Sequence, residues 1–131
     1  MSEQYAQYGS GVEPTELWGQ TFTSISVSET GTVPAPVVEG TAITLTFEAP
    51  DRLTAKAGCN TLGLRVEVGP DRLIVADEVA STRMGCSDDL QKQDEWLAQF
   101  LTDDPAYGFT GGSLTLTRGS TEILLVREVA Q

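Results

Sequence analysis

Apolar and polar residues alternate along most of this chain. Ile43, Leu45 and Phe47 are separated by Thr44 and Thr46, the period of a half-buried strand whose threonines face water. Leu53, Ala55 and Ala57 keep that period, and Leu62, Leu64, Val66 and Val68 repeat it. Shorter versions follow at Leu73 and Val75, at Tyr107 and Phe109, and at Leu114 and Leu116. From Ile123 to Val126 four apolar residues are adjacent, which predicts a strand buried on both faces. The strand-like pattern begins at Leu17.

One segment breaks the alternation. Between Ser87 and Thr102, Leu90, Leu97, Phe100 and Leu101 recur at the spacing of an amphipathic helix. Ser87 is placed to accept the first free amides as N-cap, Asp88 and Asp89 suit the positive end of the helix dipole, and Pro105 closes the segment. Trp96 flanks the apolar stripe and is expected to cover its edge. Ala49-Pro50-Asp51-Arg52-Leu53 and Gly69-Pro70-Asp71-Arg72-Leu73 both read as hairpin loops with proline in the first central position of a type I turn. Arg118-Gly119-Ser120 is a third loop. The sum is a mainly β (α+β) fold: a small antiparallel sheet of about eight strands, closed or nearly closed like a barrel and packed by one α-helix inserted before the last three strands. Residues 28–41, punctuated by prolines, form a long connection. Residues 1–16 read as a flexible leader and 17–131 as one domain.

Charge narrows the partners. With 19 acidic against 8 basic residues the net charge is −11, so nucleic acid and anionic lipid surfaces are disfavoured. No apolar run reaches the roughly 18 residues of a membrane span, and a monomer is expected. The leader contains no signal-peptide hydrophobic region. Either the chain is cytoplasmic or it begins after a removed export segment, and the cysteines favour the second.

Histidine is absent, which removes the usual general base and the commonest metal ligand. Acyl transfer would then need a serine–lysine pair, and neither Lys56 nor Lys92 lies in such a setting. The Asp88-Asp89 and Asp103-Asp104 pairs are better explained as helix-end or loop residues than as a glycosidase or calcium site. Cys59 and Cys86 form no CxxC pair. No catalytic residue, metal or cofactor is expected, and a hydrolase centred on Asp94 and Glu95 is the least favoured reading.

Gly58-Cys59-Asn60 at one strand end, and Ser81-Thr82-Arg83-Met84-Gly85-Cys86 just before the helix, together resemble the META domain, or HslJ-like, family. The entry Leu17-Trp18-Gly19-Gln20-Thr21-Phe22 and the closing Leu114-Thr115-Leu116 match the same outline, so the resemblance covers roughly residues 17–127. It departs at Phe22, where the family usually has tryptophan, at Thr61, often basic, and at Asp94, usually glutamate. Bacterial members are commonly envelope proteins or lipoproteins, so the resemblance implies a cell-envelope or secreted protein, linked to stress, with no defined reaction.

In that compartment Cys59 and Cys86 would persist as a disulfide. Two buried free thiols and a redox pair are the alternatives. Gly58, Asn60, Thr82, Arg83 and Met84 complete the motif. Asn60 is expected to adopt a left-handed conformation or to bond a neighbouring amide, and Arg83 to pair with Asp94 or Glu95. Two binding roles follow. One is an apolar groove for a lipid or a partner's hydrophobic segment, lined by Phe47, Leu64, Val66, Leu97, Phe100 and Phe109, unless these residues simply fill the core. The other is a structural or inhibitory domain presenting the 28–41 loop to another protein.

Overall fold

A computed structural model describes residues 17–29, 40–82 and 85–128. Its elements are β1 (Thr21–Glu29), β2 (Thr44–Glu48), β3 (Arg52–Lys56), β4 (Thr61–Val68), β5 (Leu73–Ser81), α1 (Asp88–Thr102), β6 (Ala106–Thr110), β7 (Ser113–Arg118) and β8 (Thr121–Arg127). The strands form one antiparallel sheet in the order β5-β4-β3-β2-β1-β8-β7-β6. Two meanders, β2 to β5 and β6 to β8, are therefore joined through β1, which pairs with both β2 and β8.

The sheet curls into a half-barrel because one face of every strand is apolar. Leu45 and Phe47, Leu53 and Ala55, Leu62, Leu64 and Val66, and Ile123 and Leu125 all point into a single core. Phe22 lies at its centre with Phe47 and Phe109 packed edge-on, ring centroids 6.0 and 5.7 Å away. That geometry suits aromatic quadrupoles. Leu97, Phe100 and Leu101 of α1 join the same core, each burial favouring the fold by about 1.5–3 kcal/mol. Trp96 covers the edge of this stripe, stacked on Phe100 at 5.8 Å.

The sheet edges, β5 and β6, meet only at one end. Arg72 bridges Ala106, Leu73 N–H donates to Pro105 O at 2.9 Å, and Tyr107 N–H donates to Asp71 O at 3.1 Å. Asp104, at φ 59°, turns the chain out of α1 and accepts from Val75 N–H at 2.8 Å. Its own carbonyl accepts from Arg72 Nη1. Beyond this seam β5 runs on as an edge whose Asp77 and Glu78 are exposed, in a stretch where its register against β4 slips. Charge and irregularity of this kind protect an open edge from pairing with other chains.

Four expectations need correction. The strand region begins at Thr21, because Leu17 lies in a short turn whose carbonyl accepts from Gln20 N–H. β8 buries Ile123 and Leu125 but leaves Leu124 and Val126 half-buried. The half-barrel has one packed face, so its outer side needs no second apolar layer. Asn60 is not left-handed, since Asp104 is the only non-glycine with positive φ among the described residues. Both proline loops are hairpins, but the Ala49–Pro50 peptide bond is cis, unlike the trans bond of the type I turn expected. The pattern also passes over the β6–β7 connection, where Gly111 and Gly112 both have positive φ between Thr110 and Ser113. A two-residue hairpin of this kind demands that conformation.

The seam makes a prediction. Tyr107 Oη donates to Gly69 O at 2.6 Å in a buried position. Burial, and secondarily the charge of Asp71, raise its pKa above the ordinary 10.0. A raised phenol pKa means that the native state keeps a proton which the unfolded chain releases first. The contribution is complete below pH 10 and drains away as pH climbs through the folded-state value. Tyr107→Phe is expected to cost about 1–3 kcal/mol near neutrality, because Gly69 O is left unpaired. It should also flatten the loss of stability above pH 10 in urea unfolding curves.

Candidate functional site

The site forms where the β3–β4 turn, the end of β5 and the start of α1 converge. Ser87 caps α1 by accepting from Leu90 N–H, and Asp88 and Asp89 fill the first turn. The helix lies close against the turn: a Cβ on Gly58 would come within 2.9 Å of Leu90 Cδ2. Any larger residue here would have to displace the Leu90 side chain, so glycine gives the helix its closest approach. Cys59, the next residue, is disulfide-bonded to Cys86, with Cα atoms 6.2 Å apart across 27 residues of sequence.

Two consecutive helix residues carry the polar part of the contact. Gln93 is fully buried, yet its Nε2 donates to Ala57 O and to Thr41 Oγ1. Asp94 is 6% exposed, and its Oδ2 accepts from Asn60 N–H at 2.9 Å and from Asn60 Nδ2 at 3.3 Å. Asn60 Oδ1 in turn accepts from Thr82 Oγ1 at 3.0 Å, and Thr82 Oγ1 accepts from Thr61 N–H at 3.0 Å. Thr82 N–H closes the circuit on Thr61 O. The chain of bonds ties α1 to both strands of the β4–β5 hairpin. One acceptor is left over: Asp94 Oδ1 is buried and has no hydrogen-bond partner.

Beside this network lies a cleft of about 430 Å³, bordered by Asn60, Thr82, Asp94 and Glu95, with Leu62, Val79 and Ala98 among its apolar walls. Among the described residues lining it there is no lysine or arginine. The Thr82 hydroxyl gives its proton to an amide carbonyl rather than to a base, so it is not activated as a nucleophile. Among the described residues, no group of three or more Cys, Asp or Glu side chains is placed to hold a metal ion. No helix of the described residues is long and apolar enough to cross a membrane.

A curled antiparallel half-barrel with one helix pinned across its strand ends is the class of fold these residues define. The META domain family model matches residues 15–131, and the chain belongs to that family. Two structures solved by NMR have a similar fold. One covers 88% of this chain and 94% of its own at 19% identity, with a TM-score of 0.65. The other, from Burkholderia xenovorans, covers 89% and 87% at 18% identity, with a TM-score of 0.66. A search of curated proteins found no significant match.

Of the residues singled out in the sequence, Gly58, Cys59, Asn60, Thr82 and Cys86 are brought together here. Arg83 and Met84 lie outside the described residues, as do residues 1–16 and 30–39 of the proposed presenting loop. Phe47, Leu64, Val66, Leu97, Phe100 and Phe109 are all buried in the core cluster. Gln93 was not anticipated, although a signal exists: it falls in phase with Leu90 and Leu97, a polar residue on an apolar stripe.

Two stability effects follow. Gln93→Leu would strand Ala57 O in the interior and is expected to cost about 1–3 kcal/mol. It should appear as a lower urea midpoint at unchanged slope. Replacing both cysteines by serine should lower stability by roughly 3–4 kcal/mol, the loop-closure value for a loop of this length. Reduction of the wild-type protein should reproduce that loss.

Proposed function

We propose that this META-domain protein is a non-enzymatic, stress-associated binding module that works in the cell envelope or outside the cell, with another protein as its target. The disulfide carries the reading. Cys59–Cys86 fastens the β3–β4 turn to the residues just before α1, and these are two walls of the cleft. A bond of this kind persists where thiols are oxidised and is rare in the reducing cytosol. The described residues at the cleft are suited to holding a ligand through hydrogen bonds and charge, and among them no nucleophile is activated. An apolar ligand is less well supported, because all six residues that would line its groove are packed in the core.

The test is to trap thiols with acid in producing cells, label them with a maleimide-linked polymer, and fractionate. The expected result is an unlabelled protein in the envelope or the medium. Labelling of both cysteines in a cytosolic pool would overturn the reading.

A further inference from the structure

The unpartnered oxygen of Asp94 points to a ligand of definite chemistry. Buried polar atoms in native proteins are almost always hydrogen-bonded, and an ionised carboxylate can accept several bonds at once. Asp94 Oδ2 already takes two donors from Asn60, whereas Oδ1 takes none. The Asn60 amide is already bonded to Oδ2 and the Thr61 and Thr82 amides to other acceptors, and among the described residues lining the cleft no side chain supplies a cation. A buried anionic acceptor left in this state is costly, and a charge-assisted donor would relieve it.

Resting on the reading of the chain as a binding module, we propose that the cleft receives a basic side chain of a protein partner, a guanidinium or ammonium group on an aliphatic stem, with Asp94 Oδ1 as its counter-ion. Glu95, exposed at the same cleft, adds a second negative charge. Leu62, Val79 and Ala98 give the methylenes of such a stem an apolar wall, the division of labour long basic side chains adopt at surfaces. The net charge of −11 draws a cationic partner toward the chain over a longer range. Asn60 and Thr82 act as positioning residues: Asn60 supplies both donors to Oδ2, which fixes the carboxylate plane and leaves Oδ1 for the ligand, and Thr82 orients the Asn60 side-chain amide by donating to its Oδ1. The competitor within the chain is Arg83, which follows Thr82 directly in sequence.

The proposal is tested by two-dimensional NMR titration of the oxidised protein with N-acetylated, amidated arginine and lysine. The citrulline equivalent of the arginine probe is the neutral control. The expected result is saturable shifts at the Asn60, Thr82 and Gly85 amides with both basic probes. Affinity should fall roughly tenfold or more with citrulline and in Asp94→Asn, the loss of one charge-assisted contact. The citrulline arm needs no variant, so it holds even if Asp94→Asn folds poorly. Equal binding of the citrulline probe overturns the proposal, as does the absence of shifts at these amides. Binding that emerges only in Arg83→Ala also overturns it, because the chain's own arginine then fills the site. Should the probes fail while thiol trapping still finds an oxidised envelope protein, the cation site falls and the binding-module reading stands.

Discussion

Two neighbouring polar residues on the buried side of a helix, Gln93 and Asp94, hold this fold in register. A curled sheet ends in turns whose backbone groups have no strand to pair with, and any such group removed from water needs a partner. The β3–β4 turn is covered by α1, so Ala57 O and Asn60 N–H must be met from the helix. Gln93 meets the first and Asp94 the second. The positions are adjacent, hence about 100° apart around the helix, which fixes its rotation as well as its place. Gly58 and the disulfide follow from this docking: Gly58 lets Leu90 of the helix approach the turn, and Cys86 lies just before the helix start.

The other end of α1 is held by different means. Asp104 leaves the helix in a left-handed conformation and delivers its carboxylate to Val75 N–H, which brings β6 alongside the start of β5. The half-barrel is therefore closed by loop and side-chain contacts at a seam rather than by a continuous ladder. The exposed ion pairs, Arg65–Asp51 and Arg118–Asp103, both at 3.8 Å, add little to this, since surface pairs contribute at most about 1 kcal/mol. Stability resides in the apolar core, in the disulfide and in a few buried polar contacts along the helix and at the seam.

Much of the architecture was legible in the sequence because it rests on periodicity. Alternation at Leu45–Phe47, Leu62–Val68 and Leu114–Leu116 marks strands with one buried face, and the Leu90–Leu97–Leu101 stripe with its Ser87 cap marks the helix. The four-residue apolar run at Ile123–Val126 misled, since Leu124 and Val126 on the outer face of the strand are only half covered. The site was legible in part. Gly58, Cys59, Asn60, Thr82 and Cys86 belong to motifs that a resemblance can find. The role of Asn60 was not readable, because its partner Asp94 is 34 residues away, and only the fold brings the two together. Asp104 was hidden for the same reason: beside Asp103 it looks like an ordinary solvated loop acid, and its task depends on the distant edge of β5.

The central claim is that Asp94 reaches across to the β3–β4 turn and holds it. Asn60 N–H lies outside the strand ladder, between the end of β3 and the start of β4, so its protection from solvent exchange depends on that carboxylate. Amide hydrogen exchange followed by NMR measures it directly. The Asn60 amide is predicted to exchange as slowly as the core strands in the wild-type protein and to lose that protection selectively in Asp94→Ala. An Asn60 amide that exchanges at the rate of an open turn in the wild-type protein would contradict the account.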